Sequence, residues 1–401
     1  MVVNSMILRE HYLNPIRSFY DSDLIKIITG IRRCGKSVLL KQAYSEIRSQ
    51  GKDALFLDFD LKPVRNQIPD ADALIKYVKN NRQDGICYIF LDEVQNVTDW
   101  SEACRTLRLQ DCSLFISGSN SKLLSGEFTK ELSGRYVSFR IRPFVYREAK
   151  EYCEALEKDL SLTDYIVWGG FPATFEMPDI DSKKRYLSDL NDTIIYNDLE
   201  NRYKIKKTDI FEKMVDYVLV SNARIFSAQS VTKYMNGQGI QISTPTVIKY
   251  LSYLKEAYVI NEVAQYSRKT KSKMSYYQKL YDEDVSLNSI RCIGNRFDLT
   301  HNFENIVLNE LLYMGYEITV YNNSGREIDF RAEKDNKVYL VQVAYSVAED
   351  KAYDREFSAF AGIDNLVKKI IITNDDLDYS TSTVHHCSFK EFVKLNSLDE
   401  I

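Results

Sequence analysis

Gly30-Ile31-Arg32-Arg33-Cys34-Gly35-Lys36-Ser37 fits G-x-x-x-x-G-K-[ST], the loop with which many nucleotide-binding proteins cradle phosphate. Upstream, Leu24-Ile25-Lys26-Ile27-Ile28-Thr29 is a short β-branched run that reads as a buried strand. Downstream, Val38-Leu39-Leu40-Lys41-Gln42-Ala43-Tyr44 has helical composition and apolar spacing. Strand, glycine loop and helix start is the order that phosphate binding requires. The glycines let backbone N–H groups close around phosphate oxygens, and the helix N-terminus adds its positive end. Lys36 is expected to reach the β- and γ-phosphates and Ser37 to hold Mg²⁺. Gly30, Arg32, Arg33, Cys34, Gly35, Lys36, Ser37 and Val38 are the expected nucleotide contacts. That context disfavours a chance glycine turn ahead of a helix.

Four further strands follow. Ala54-Leu55-Phe56-Leu57-Asp58-Phe59-Asp60 is the second, and Cys87-Tyr88-Ile89-Phe90-Leu91-Asp92-Glu93 is an apolar strand ending in two carboxylates. An apolar strand with an acidic end is common, but after a phosphate loop it is the expected metal and water site. Asp92 would organise Mg²⁺ together with Ser37, and Glu93 would polarise the attacking water as the general base. Beyond Ser113-Leu114-Phe115-Ile116-Ser117-Gly118, the amide of Asn120 is placed to orient water or the γ-phosphate, or else caps a loop. Arg135 precedes a fifth strand and reads as a phosphate-charge stabiliser, within the chain or in a neighbour, or as a surface ion pair.

The chain of 401 residues, 44% hydrophobic and 27% charged, suits two or three soluble domains with substantial cores. A net charge of -4 advertises no nucleic-acid partner globally, although a local basic patch survives such averaging. Seven cysteines without C-x-x-C spacing and four histidines argue against zinc sites and a disulfide framework. With neither a signal pattern nor an apolar run of membrane-spanning length, the expected compartment is the cytoplasm.

The phosphate loop with its paired arginines resembles a prokaryotic family of AAA+-type ATPases whose members carry a C-terminal domain of unknown function. So do Leu91-Asp92-Glu93-Val94-Gln95, Ile116 to Leu124 and Leu132-Ser133-Gly134-Arg135-Tyr136. The similarity continues through Trp168-Gly169-Gly170-Phe171-Pro172, Phe303-Glu304-Asn305-Ile306-Val307 and Gly325-Arg326-Glu327-Ile328-Asp329-Phe330, nearly the full length. The resemblance implies ATP binding on a parallel core sheet and says little about biological role.

Residues 145–200 read as mostly helical, broken at Gly169-Gly170-Phe171-Pro172, a hinge or a plain turn between helices. Phe226 to Tyr234 and Thr244 to Leu254 read as two helices around Asn236-Gly237 and Gly239, with Pro245 suiting a first helical position. Val259 to Ala264 then reads as a strand, and Arg268, Lys269, Lys271 and Lys273 as a basic turn. Helix, turn, helix, hairpin describes a winged helix, either bound to DNA with its basic wing on phosphates or serving as a protein-contact module. The last hundred residues, helix followed by three strands, resemble the PD-(D/E)xK nuclease fold. Asp329 fits its first carboxylate and Glu304 its helix acid, but E-x-K has become Gln342-Val343-Ala344. An amide is a poor Mg²⁺ ligand and alanine cannot act on water, so a binding module is expected rather than a nuclease.

The expected fold is therefore α/β: a parallel P-loop sheet of AAA+ type (1–145), a helical lid (146–195), a winged helix (196–290) and a restriction-endonuclease-like α/β domain (291–401). The expected function is Mg²⁺-dependent ATP hydrolysis coupled to the C-terminal modules. A slow-turnover ATP switch regulating DNA or protein contacts is the alternative, and a metal-dependent nuclease a further one; the expected partners are ATP, DNA through the winged helix, and a second copy of the chain or another protein.

Overall fold

The structure is a computed structural model that describes residues 7–83, 85–118, 132, 134–266, 278–323 and 325–401. The chain divides into two compact units, Met1–Pro143 with Glu256–Tyr258, and Phe144–Lys255 with Val259–Ile401.

The first unit is built on strands β1 (Ile25–Thr29), β2 (Ala54–Asp58), β3 (Cys87–Asp92), β4 (Cys112–Ser117) and β5 (Tyr136–Arg140). They form one parallel sheet in the order β2-β3-β4-β1-β5. Every residue of β1, β3 and β4 is buried, as expected of central parallel strands covered on both faces. Helices α1 (Glu10–Arg17), α2 (Lys36–Ser49), α3 (Lys62–Gln67), α4 (Ala71–Asn81) and α5 (Trp100–Arg108) complete the unit. Alternation along β3 sorts its side chains: Ile89 and Leu91 pack with Leu74, Val78, Trp100 and Leu107. Phe90 points the other way, stacked on Phe115 at 4.4 Å, with Tyr44 of α2 edge-on at 5.6 Å. Each buried ring contributes about 2–3 kcal/mol by area, and the stacked pair about 1 kcal/mol more. Lys26 of β1 is fully buried, its ammonium donating to Ser22 O at 3.0 Å and Ser113 Oγ at 2.8 Å beneath the Phe115 ring. Burial pushes its pKa down to about 7.

The second unit opens with helices α6 (Tyr146–Ala155), α7 (Leu162–Trp168) and α8 (Ile180–Thr193), the last running into a π-helical stretch, Ile194–Asn201. The Gly169-Gly170 break lies between α7 and a short 3-10 turn, Pro172–Glu176, and both of its glycines are closely packed. A Cβ on Gly169 (φ 66°) would stand 1.8 Å from Asp284 Oδ1, and one on Gly170 1.9 Å from Phe144 O. Asp284 Oδ2 accepts the Gly170 N–H at 2.7 Å, stitching the break to a distant acidic loop. Beside it, Trp168 packs edge-on against Phe297, with the Lys184 ammonium 5.6 Å from its ring.

Next come α9 (Thr208–Val220), β6 (Arg224–Phe226), α10 (Ala228–Gly237), α11 (Thr244–Glu256), β7 (Ile260–Ala264) and β8 (Gln278–Asp282). The three strands pair antiparallel in the order β6-β8-β7. Ser227 caps α10 by accepting the Ser230 N–H at 3.0 Å. After α12 (Ser286–Ser289), the long α13 (Leu299–Tyr313) buries most of its length. It precedes β9 (Glu317–Asn323), β10 (Arg326–Lys334), β11 (Lys337–Val343), α14 (Asp350–Ser358), β12 (Lys368–Thr373), β13 (His385–Ser388) and α15 (Phe389–Phe392). These strands form a mixed sheet in the order β13-β12-β11-β10-β9, antiparallel from β9 to β11 and parallel beyond. The β10–β11 hairpin turns through Asp335 (φ 51°) and Asn336 (φ 62°), residue types that tolerate the positive φ of a two-residue turn.

Candidate functional site

A parallel strand delivers its following loop to the C-terminal edge of the sheet, so the loops after β1, β3 and β4 converge there. The phosphate loop leaves β1 at Gly30, where φ is 146° and a Cβ would lie 2.1 Å from Ile141 O; no other residue fits. Arg33 (φ 66°) and Gly35 (φ 102°) reverse the backbone, and α2 begins at Lys36. Lys36 is buried, and its Nζ donates to Gly30 O and Ile31 O, both at 3.0 Å, spanning the loop from within. The buried Cys34 thiol donates to Ile141 O at 3.4 Å, holding the loop against the segment after β5. Arg32, Ser37 and Val38 are half-buried and Arg33 is exposed.

The acidic end of β3 is equally organised. Asp92 is buried and accepts a hydrogen bond from the hydroxyl of Ser117, the last residue of β4. Glu93 follows with left-handed backbone (φ 52°), its N–H donating to Ser117 Oγ at 3.3 Å and its Oε2 accepting from the Gln95 amide. Burial pushes the Glu93 carboxyl up, Lys36 pulls it down, and Asp92 and Asp60 push it up again.

One expected residue does not join this group. Arg135 is exposed and sits at the start of β5, its carbonyl accepting the Ile25 N–H at 2.9 Å. In a parallel pair that is the N-terminal edge, roughly 16 Å along β1 from the phosphate loop at about 3.3 Å per residue. A role for Arg135 on its own chain's phosphates is thereby corrected by strand direction. Arg140 and Arg142 instead stand at the nucleotide edge, with Arg140 paired in register with Thr29. Asn120 lies outside the described residues, as do Arg268, Lys269, Lys271 and Lys273.

Sequence reasoning also missed Arg9. It is buried just ahead of α1, its Nη1 donating to Cys34 O at 3.0 Å and its Nη2 to Arg142 O at 3.0 Å. It clamps the back of the phosphate loop, with the Gln42 side chain accepting from its backbone N–H at 3.4 Å. A lone arginine upstream of a strand carries no motif, and Ser117 and Gln95 sit beside the motifs without a residue pattern that assigns them a role.

The donor set fits a magnesium nucleotide. The Ser37 hydroxyl and the Asp92 carboxylate are hard oxygen ligands of the kind Mg²⁺ takes alongside water and phosphate. The glycine-shaped loop opening onto α2 presents backbone N–H groups at a helix start. Together, the strand order and the converging loops define a P-loop nucleoside-triphosphate-binding protein. Residues 22–150 match the AAA domain, residues 159–292 a domain of unknown function (DUF8612) and residues 299–392 another (DUF4143). An uncharacterized protein of Haemophilus influenzae is 32% identical over 92% of this chain and 94% of its own. The uncharacterized protein MJ1544 of Methanocaldococcus jannaschii is 29% identical over 88% of this chain and 82% of its own. The chain belongs to this family of AAA-type P-loop ATPases with paired C-terminal domains of unknown function. Among solved structures, the Walker-type ATPase PABY2304 of Pyrococcus abyssi aligns with TM-score 0.48 and 17% identity, over 71% of this chain and 96% of that one. AMPPCP-bound DnaA from Aquifex aeolicus aligns with TM-score 0.31 and 14% identity, over 64% of this chain and 89% of that one.

Proposed function

We propose that the chain is a Mg²⁺-dependent ATPase whose nucleotide state is coupled to its C-terminal modules. Lys36 leaves the Gly30 and Ile31 carbonyls to neutralise the β- and γ-phosphates, Ser37 and Asp92 hold Mg²⁺, and Glu93 takes the proton of the attacking water. The observation that carries this reading is the meeting, at the C-terminal edge of one parallel sheet, of a glycine-shaped loop spanned by Lys36 and a strand end whose Asp92 and Glu93 are both held by Ser117. Lys36→Ala should abolish nucleotide binding or turnover, whereas Glu93→Gln should retain ATP and stop hydrolysis. Turnover of Glu93→Gln at the parental rate would assign the base elsewhere.

The Gln95–Glu93 contact favours a second reading, a slow switch. An amide hydrogen bond to Glu93 Oε2 stabilises the carboxylate and lowers its appetite for a water proton, so turnover is slowed while the contact lasts. On either reading, Arg135 acts on a neighbouring subunit's nucleotide if it acts at all. The helix, strand, helix, helix, hairpin order of residues 208–282 supports a winged helix. From Tyr217 to Lys255 the sequence has no carboxylate, and Lys233 and Lys249 are exposed on α10 and α11. That composition suits sequence-tolerant contact with DNA phosphates, reinforced by Arg268, Lys269, Lys271 and Lys273. Turnover measured with and without duplex DNA separates an autonomous ATPase from a DNA-responsive switch, and the cytoplasm is the compartment proposed for both.

A further inference from the structure

The acids that a lysine at position 344 would have served, Glu304 and Asp329, are met by a lysine from elsewhere in the chain. Lys279 of β8 is buried, and its Nζ lies 2.9 Å from Glu304 Oε1 on α13, 2.9 Å from Asp329 Oδ1 on β10 and 2.6 Å from Glu327 Oε1 on the same strand. The Tyr281 hydroxyl donates to Glu304 Oε1 at 2.6 Å from the other side. The rest of the site is equally committed. Asp329 Oδ2 accepts the Val343 N–H at 3.0 Å; Gln342 Oε1 accepts the Asp329 N–H at 3.2 Å, and its Nε2 donates to Glu356 Oε2 at 2.7 Å.

One ammonium thus serves three carboxylates that have no other cation within ion-pair distance among the described residues. Burial opposes the charge on Lys279, but Asp329, Tyr281, Glu304 and Glu327 together drive its pKa well above the usual lysine range. Burial and then Asp329 lift Glu304 to about 7, with Lys279 pulling it back. A divalent ion bonded to Glu304 Oε1 and Asp329 Oδ1 would have to stand where Nζ stands, because Mg²⁺ and its like need oxygens at roughly 2.0–2.1 Å. Two cations cannot share that point. With Lys279 in place, no three Asp, Glu, His or Cys side chains among the described residues are spaced to hold a metal ion. The cluster nevertheless borders a cavity of about 230 Å³ lined in part by Gln265, Gln278, Asn322 and Glu327, so small ions can approach its edge.

We propose that Lys279 is the resident cation of the C-terminal domain, filling the space among Glu304, Glu327 and Asp329 that an oxygen-seeking divalent ion would otherwise take. The domain therefore works without a metal, and β8 is tied by charge to α13 and β10. This inference does not depend on the ATPase reading, since it concerns a separate site and a different measurement.

The test is Mn²⁺ uptake by the full chain without nucleotide, followed by loss of the free-ion EPR signal, in an Asp92→Asn background that weakens the P-loop metal site. That background should show no saturable uptake. Adding Lys279→Met should open a site for one Mn²⁺, bound at least about tenfold more tightly than by the background, and Asp329→Asn should close it again. Where Lys279→Met alone fails to fold, Lys279→Met/Glu327→Gln keeps the cluster's net charge and should give the same gain. Saturable uptake by the background that Asp329→Asn abolishes would overturn the proposal. So would a folded lysine-free variant, single or double, that takes up no Mn²⁺.

Discussion

The Ser117 hydroxyl donates to Asp92 Oδ1 while its oxygen accepts the Glu93 N–H at 3.3 Å, so one side chain on β4 fixes both acids of β3. A hydrogen bond to a charged partner contributes about 1.5–3 kcal/mol. Ser117→Ala should therefore lower ATP turnover by about tenfold or more, from misplacement of Asp92 and Glu93, while nucleotide affinity changes little. Steady-state kinetics check this: a rise in KM with unchanged kcat would show that Ser117 serves binding instead.

Gln95→Ala should act in the opposite direction. Freed from the Gln95 amide, Glu93 is available to water, and basal turnover should rise about threefold or more. Parental kcat in this variant would mean that the contact does not gate the base.

The wedged glycines make a stability prediction with an internal control. Gly169→Ala combines positive φ with a Cβ 1.8 Å from Asp284 Oδ1, whereas Gly239 (φ 79°) has nothing within 4 Å of its Cβ position. Gly239→Ala should lose about 1 kcal/mol through backbone strain alone, and Gly169→Ala about 3 kcal/mol or more. Urea unfolding curves compare the two, and equal losses would show that the Asp284 loop yields freely.

Lys26 gives a pH signature. Its pKa is about 7 in the fold against 10.5 in the unfolded chain, so between those values the unfolded chain binds more protons. Stability contributed at this position consequently rises as pH climbs from 7 to 10.5. Lys26→Met should remove that rise and match or exceed the parent below pH 7, because Ser113 Oγ keeps its bond to Tyr20 O at 2.6 Å. The difference in melting temperature between parent and variant, followed across that range, is the measurement; a constant difference would mean that Lys26 does not titrate there.

What was legible in the sequence was local. The phosphate loop and the acidic strand end are each decided by a handful of adjacent residues. The misplacement of Arg135 was avoidable on the same grounds, since a residue ahead of a parallel strand must lie at the edge away from the phosphate loop. Arg9, Gln95 and Lys279 were not legible in that way. Lys279 meets partners 25 to 50 residues downstream, and nothing near Gln278-Lys279-Leu280 signals three carboxylates. The replacement of E-x-K by Gln342-Val343-Ala344 announced a loss, but not that another strand brings a lysine to the same acids.

The two tryptophans fall one to each compact unit. Trp100 packs into the core beneath the parallel sheet, and Trp168 stands against Phe297 and Lys184 in the other unit. The molecule thus carries two native fluorophores on separate bodies. Trp100→Phe leaves emission that reports on the C-terminal unit alone, and Trp168→Phe leaves emission from the nucleotide-binding unit, so the order in which the two melt can be read without any added label.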